Sequence, residues 1–100
     1  MTGLRRHVLV SYDITDAKRW RRAYKIIRGY GKHVQYSVFL CQLTDMEEVQ
    51  LREALYDVIH KELDQVLFVR IGHVESNALQ RNITIIGREF VPLDLKRLIF

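Results

Sequence analysis

Cysteine occurs once and proline once in this chain of 100 residues. A single thiol, Cys41, closes no intrachain disulfide and builds no cysteine metal cage; its expected place is the core, as a small apolar side chain. The histidines at 7, 33, 60 and 73 are scattered, so neither a zinc site nor a nucleophilic triad has support. No apolar run approaches the roughly 18 residues of a membrane span, and no signal-like apolar core follows the first charges. The expectation is a cytoplasmic protein with no membrane partner. Repeats, linkers and low-complexity stretches are also missing. With 48% hydrophobic and 28% charged residues, the composition is that of a chain that folds, and this length makes one domain, residues 1–100, with one core.

What the sequence does have is positive charge in one place. Lysine and arginine number 16 against 12 acidic residues, a net +4, and the basic residues concentrate in the first third. Residues 6–12 read as a strand (Val8, Leu9, Val10, Tyr12) that runs out at Asp13. From 15 to 31, Trp20, Ala23, Tyr24, Ile27 and Tyr30 recur at helical spacing and mark one buried stripe. The other face carries Lys18, Arg19, Arg21, Arg22, Lys25 and Arg28. One stretch thus offers a carboxylate at a strand end and a cationic helix face, the two ingredients of phosphodiester binding or chemistry. By itself the basic face is equally consistent with plain solvation. Asp13 could equally cap the helix, although Thr15 and Asp16 stand closer to its start.

Gly29 and Gly31 are expected to stop this helix in the left-handed conformation. Residues 34–43 alternate as a strand does. Thr44 with Glu47 forms a capping-box signature for a second helix (Leu51, Ala54, Leu55, Val58, Ile59) that ends near His60. A turn over 60–64 leads to a strand over 66–71 that Gly72 closes. A polar connection over 73–81 precedes a last short strand, 82–86, and beyond Pro92 an apolar end (Leu95, Leu98, Ile99, Phe100) is without a partner in so small a domain. The order favours an α+β fold, a ferredoxin-like split β-α-β sheet with both helices on one face. That fold needs two strands between its helices, and residues 32–43 leave room for one long bulged strand or two very short ones.

The segments VSYDI, KRWRRAYKIIRGYG, VQYSVF and IIGREFVPLD, in this order, resemble the CRISPR-associated Cas-two family over nearly the whole chain. The resemblance implies a protein of the spacer-acquisition machinery: a homodimer with two copies of Asp13 facing across the two-fold axis and sharing magnesium as a metal-dependent endonuclease. It also implies a second role, a non-catalytic scaffold bridging dimers of the Cas-one integrase on duplex DNA. Asp13 takes the catalytic and metal-binding position. Arg19, Arg21 and Arg22 match the basic first helix that meets DNA or RNA, and Ser37 matches the SVF motif and is expected near a phosphate. His33 stands where the family often has arginine, which implies a weaker, pH-dependent phosphate contact. The segment 82–100 resembles the family's tail, a strand added to the neighbouring subunit or docked on Cas-one.

Overall fold

The computed structural model describes residues 4–88. Strand β1 (Arg6–Asp13) leads into helix α1 (Ala17–Arg28); strands β2 (Gly31–Gln35) and β3 (Val38–Leu43) follow, then helix α2 (Asp45–Tyr56) and strand β4 (Gln65–His73). The sheet order is β2-β3-β1-β4, with every neighbouring pair antiparallel. This is the ferredoxin-like arrangement, and the space between the helices holds two short strands joined at Tyr36 and Ser37. The register slips between His33 and Gln35, which is how so few residues accommodate both.

The pleat divides the sheet. Val8, Val10 and Tyr12 of β1 and Phe39, Cys41 and Leu43 of β3 point to one side, where they join Ala23 and Ile27 of α1 and Leu51 and Leu55 of α2 in a single buried cluster. Cys41 is wholly buried there, and desolvation pushes its thiol up to about 12, so it serves as an apolar filler with no thiolate chemistry. His7, Leu9, Ser11 and Asp13 therefore share the opposite face. Among the described residues that face is covered at one end, where α3 (Ala78–Asn82) sits over Gly72, and along a groove that residues 83–86 help to line. Elsewhere it leaves Leu67 and Val69 about half exposed, at 50% and 49%.

Caps behave largely as the sequence suggests. Asp16 is the N-cap of α1, its carboxylate accepting the Arg19 N–H at 2.9 Å, and Thr44 and Glu47 form a reciprocal capping box on α2. Several boundaries differ from expectation. Gly29 ends α1 in right-handed backbone, φ −73°, without the left-handed turn expected of it. Gly31 is the first residue of β2, and its missing side chain is a matter of space: a Cβ there would lie 2.3 Å from the Cys41 sulfur and 2.8 Å from the Leu40 carbonyl. Helix α2 stops at Tyr56, because the Asp64 carboxylate accepts the His60 N–H at 2.8 Å and the chain must turn there.

The expected polar connection over 73–81 is a 3-10 turn, Val74–Ser76, and α3, in which Asn82 is the last residue. Residues 83–86, expected as a strand, have no strand pairing within the described chain. They run along the open face instead, where Ile83 and Ile85 line a groove with Leu9, Ser11, Val38 and Val69. They pair with neither outer strand of the sheet, β2 or β4. The rest of the expected tail lies outside the described residues.

Gly31→Ala is expected to destabilise the fold by about 1–3 kcal/mol, the usual cost of overpacking a filled site. Cys41→Ala in the same chain should restore only part of this, because the Leu40 carbonyl still stands in the way. Urea unfolding of the single and double variants checks both statements.

Candidate nucleic-acid interface and acidic site

Asp13 ends β1 directly opposite Gln65 of β4, exposed, on the face that carries Leu9 and Ser11. Among the described residues no ion pair or hydrogen bond engages its carboxylate. Arg19, the first arginine of α1 after the cap, spends its guanidinium on Asp64: Nε donates to Oδ2 at 2.7 Å and an NH2 group to Oδ1 at 3.2 Å. The Asp64 side chain has 0% exposure and that of Arg19 23%. Two parallel hydrogen bonds from one planar fork make this a specific clamp between the start of α1 and the entry to β4. The Arg19 contact, followed by the His60 amide, holds the Asp64 carboxyl below the ordinary value of 3.8 against the opposing effect of burial.

This corrects one expectation. Arg19 does not stand free on the solvent side of α1 as an available phosphate contact; it is a structural cation. Arg21 and Arg22 are exposed, with Lys18, Lys25 and Arg28, and they form the cationic face that the helical spacing predicted. That face belongs to the helix layer, whereas Asp13 points from the other side of the sheet. Neighbours in sequence, the carboxylate and the basic helix are separated by the pleat. Only the end of the sheet joins them.

That end is built by the β2–β3 turn. The Tyr12 N–H donates to the Ser37 carbonyl at 3.1 Å, which ties the turn to the last residues of β1. Ser37 is half-buried at this junction. His33 is the second correction: its ring stacks on Phe39 at 4.8 Å and meets Tyr24 edge-on at 5.5 Å, and its Nε2 lies 2.8 Å from the Tyr36 carbonyl. Because a carbonyl can only accept, Nε2 carries the proton and the imidazole is committed to holding the turn.

Tyr12 is buried between Trp20 and Phe39, with ring centroids at 6.2 and 6.1 Å. Burial first, then the neighbouring hydroxyls of Tyr24 and Tyr36, push its phenol up to about 12, so it stays neutral and cannot act as a base near neutral pH. No cluster of three or more His, Cys, Asp or Glu suited to a metal occurs among the described residues. One hard oxygen donor per chain, open to water, is what Asp13 offers. This fits magnesium, which keeps several waters and takes one or two carboxylates together with phosphate, and it does not fit a closed cage. Sequence reasoning missed Asp64 and Tyr36: the first partners a residue 45 positions away, and the second was read as one more alternating strand residue.

A four-stranded antiparallel sheet with two helices on one face, an open apolar other face and an aspartate exposed at the end of the first strand defines a small ferredoxin-like protein with a candidate acidic site. Residues 6–78 match the family described as CRISPR associated protein Cas2, and the chain belongs to it. It is 36% identical to the CRISPR-associated endoribonuclease Cas2 1 of Rhodospirillum rubrum over 91 residues, covering 91% of this chain and 87% of that one. A crystal structure of Streptococcus pyogenes Cas2 at pH 6.5 is similar at a TM-score of 0.68 with 32% identity, covering 81% of this chain and 99% of the other. A hypothetical protein from Thermus thermophilus shares the fold at a TM-score of 0.74 and 24% identity, covering 89% of this chain and 99% of that one.

An aspartate whose folded pKa is lowered contributes stability that is present above its ordinary value and lost as pH falls through the lowered one. Asp64→Asn should therefore lower the melting temperature at pH 7 and reduce its fall between about pH 5 and pH 2 relative to the parent, as read by thermal melts across that range. Arg19→Ala should cost more, upwards of about 5 °C at pH 7, and Arg19→Lys should restore only part, since an ammonium cannot make both hydrogen bonds of the fork. By comparison, Arg21→Ala with Arg22→Ala should leave the melting temperature within about 2 °C. The same double variant should flatten the slope of log affinity against log salt on duplex DNA by roughly 1.8, or 0.9 for each phosphate that is no longer neutralised. Fluorescence anisotropy at several salt concentrations measures that slope.

Proposed function

We propose that this protein binds nucleic acid as a homodimer in CRISPR spacer acquisition and hydrolyses phosphodiester bonds with magnesium held by Asp13 of both copies. The observation that carries this reading is the place of Asp13: a carboxylate that no cation among the described residues engages, on the sheet face opposite the two helices, where Leu67 and Val69 stand about half exposed. A second copy seated on that face would bury Leu67 and Val69 and bring a second Asp13 to the same side. The Asp13 carboxylates would hold the magnesium; when bound, it supplies positive charge against the charge developing on a phosphodiester and acidifies water. The chain's own part is to hold that carboxylate at the exposed end of β1, while Arg21, Arg22 and Lys25 on the helix layer attract the rest of the nucleic-acid backbone. The relatives named endoribonuclease support this chemistry.

A second reading has its own support. The cationic side of α1 lies on the helix layer, away from Asp13, and in a dimer joined through the open face the two basic helices would point outward. Such a particle is suited to bridging, as a scaffold that holds duplex DNA between dimers of the Cas-one integrase with no chemistry in this chain. Contacts of that kind position a backbone without reading its sequence.

Asp13→Asn distinguishes the two. On the enzyme reading it abolishes magnesium-dependent cleavage in a panel of single-stranded RNA, single-stranded DNA and duplex DNA, with melting temperature and duplex affinity unchanged. Cleavage by the variant at the parent's rate, or none by the parent, leaves the scaffold as the function.

A further inference from the structure

Tyr36 occupies a position where glycine, asparagine, aspartate or proline is usual, the first of the two residues linking β2 and β3. It is 76% exposed. Exposed large rings on turns are normally mobile, but this one is held from several directions. Its carbonyl is engaged by His33 Nε2 at 2.8 Å, and the next carbonyl, of Ser37, accepts the Tyr12 N–H at 3.1 Å. The ring lies nearly parallel to Trp20, with centroids 6.0 Å apart and planes 28° apart. Trp20 in turn stacks on Tyr24 at 5.4 Å and 15°, and the Arg28 guanidinium stands 5.7 Å over the Tyr24 ring.

The result is a column of flat groups running along α1 and ending in a ring that rests against Trp20 and is otherwise open to solvent. Two properties of its surroundings specify what fits. The adjacent helix face carries Lys18, Arg21, Arg22, Lys25 and Arg28, which select a polyanion. The open ring, backed by Trp20 on a turn whose two carbonyls are engaged, offers a π-surface and no fixed donor pattern, which selects a flat aromatic group without regard to its identity. A nucleic acid with an unpaired base has both features. A duplex interior has only the first, because its bases already stack on one another.

We infer that Tyr36 is a base-stacking platform at the end of the sheet that bears Asp13, and that it gives the protein a preference for single-stranded nucleic acid over duplex. This rests on the nucleic-acid reading above and names the substrate class within it. It also assigns a purpose to His33, which positions the turn that carries the platform. Stacking on an aromatic side chain is tolerant of sequence, so the preference concerns strandedness and not base identity.

The test uses the full-length chain with a 12-nucleotide single strand of mixed sequence carrying a central 2-aminopurine, and a blunt duplex of equal length. Tyr36→Ala and Tyr36→Leu should each weaken single-strand binding about tenfold, the magnitude of one stacked base. Tyr36→Phe should stay within about twofold of the parent, because the stacking face of the ring is retained. Duplex affinity and the salt slope should be unchanged in all three, because every cation that meets a phosphate is still present. Quenching of 2-aminopurine fluorescence should be present with the parent and Tyr36→Phe and absent with the other two. If Tyr36→Leu binds and quenches as the parent does, or if single strand and duplex weaken equally, the ring is only a cover for Trp20 and the platform is overturned while nucleic-acid binding stands. If the parent binds neither probe, the nucleic-acid reading falls and the platform with it.

Discussion

Strand β1 is paired along both edges, to β3 and to β4, and the alternation of its side chains is the constraint on which the rest of the molecule depends. Val8, Val10 and Tyr12 must face the helices, since only there can they be buried. Asp13 is then obliged to face the other way. A one-residue slip in either pairing would send the carboxylate into the core and the valines into water, so the hydrophobic cluster itself enforces the position of the acidic group. The sheet thus fixes the site more firmly than any local contact of Asp13 does.

The buried pair of Arg19 and Asp64 is the second fixed point of the structure. Burial of Asp64 at the entry to β4 obliges the chain to supply a cation, and the fork of Arg19 answers with two hydrogen bonds; the alternative, an unpaired buried carboxylate, is far costlier. One interaction therefore docks the start of α1 on the loop before β4. Around the other corner of the same sheet end, His33 and the Tyr12 N–H fix the turn that displays Tyr36. The exposed ring is held in place by neighbours that have themselves been satisfied.

The distribution of charge gives the enzyme and scaffold readings their different structural bases. Catalysis draws on the open face, where carboxylates from two copies would meet. Bridging draws on the helix layer, whose cations are directed outward. Both can belong to one particle, since a dimer formed through the apolar face leaves the basic helices exposed.

Much of this was legible in the sequence. Alternation and helical spacing, each local and periodic, determined β1, β4, the two helices, the burial of Cys41, the Thr44 capping box and Asp13 at the end of β1. The order of those elements, with so few residues between the helices, determined the ferredoxin-like fold. What only the tertiary structure decided are relations between distant residues or across a sheet. Arg19 and Arg22 are the same kind of residue on one helix, and nothing in their spacing says that one is bound to Asp64 and the other exposed to solvent; that depends on where the loop after α2 returns. His33 packs on Phe39, its partner across the β2–β3 pair, and meets the Tyr36 carbonyl, a contact set by the pairing of two strands that its place in the sequence does not show. Residues 83–86 pattern as a strand, yet a strand exists only where an edge pairs with it. Periodicity reports which way a side chain faces, and the fold alone determines what it meets there.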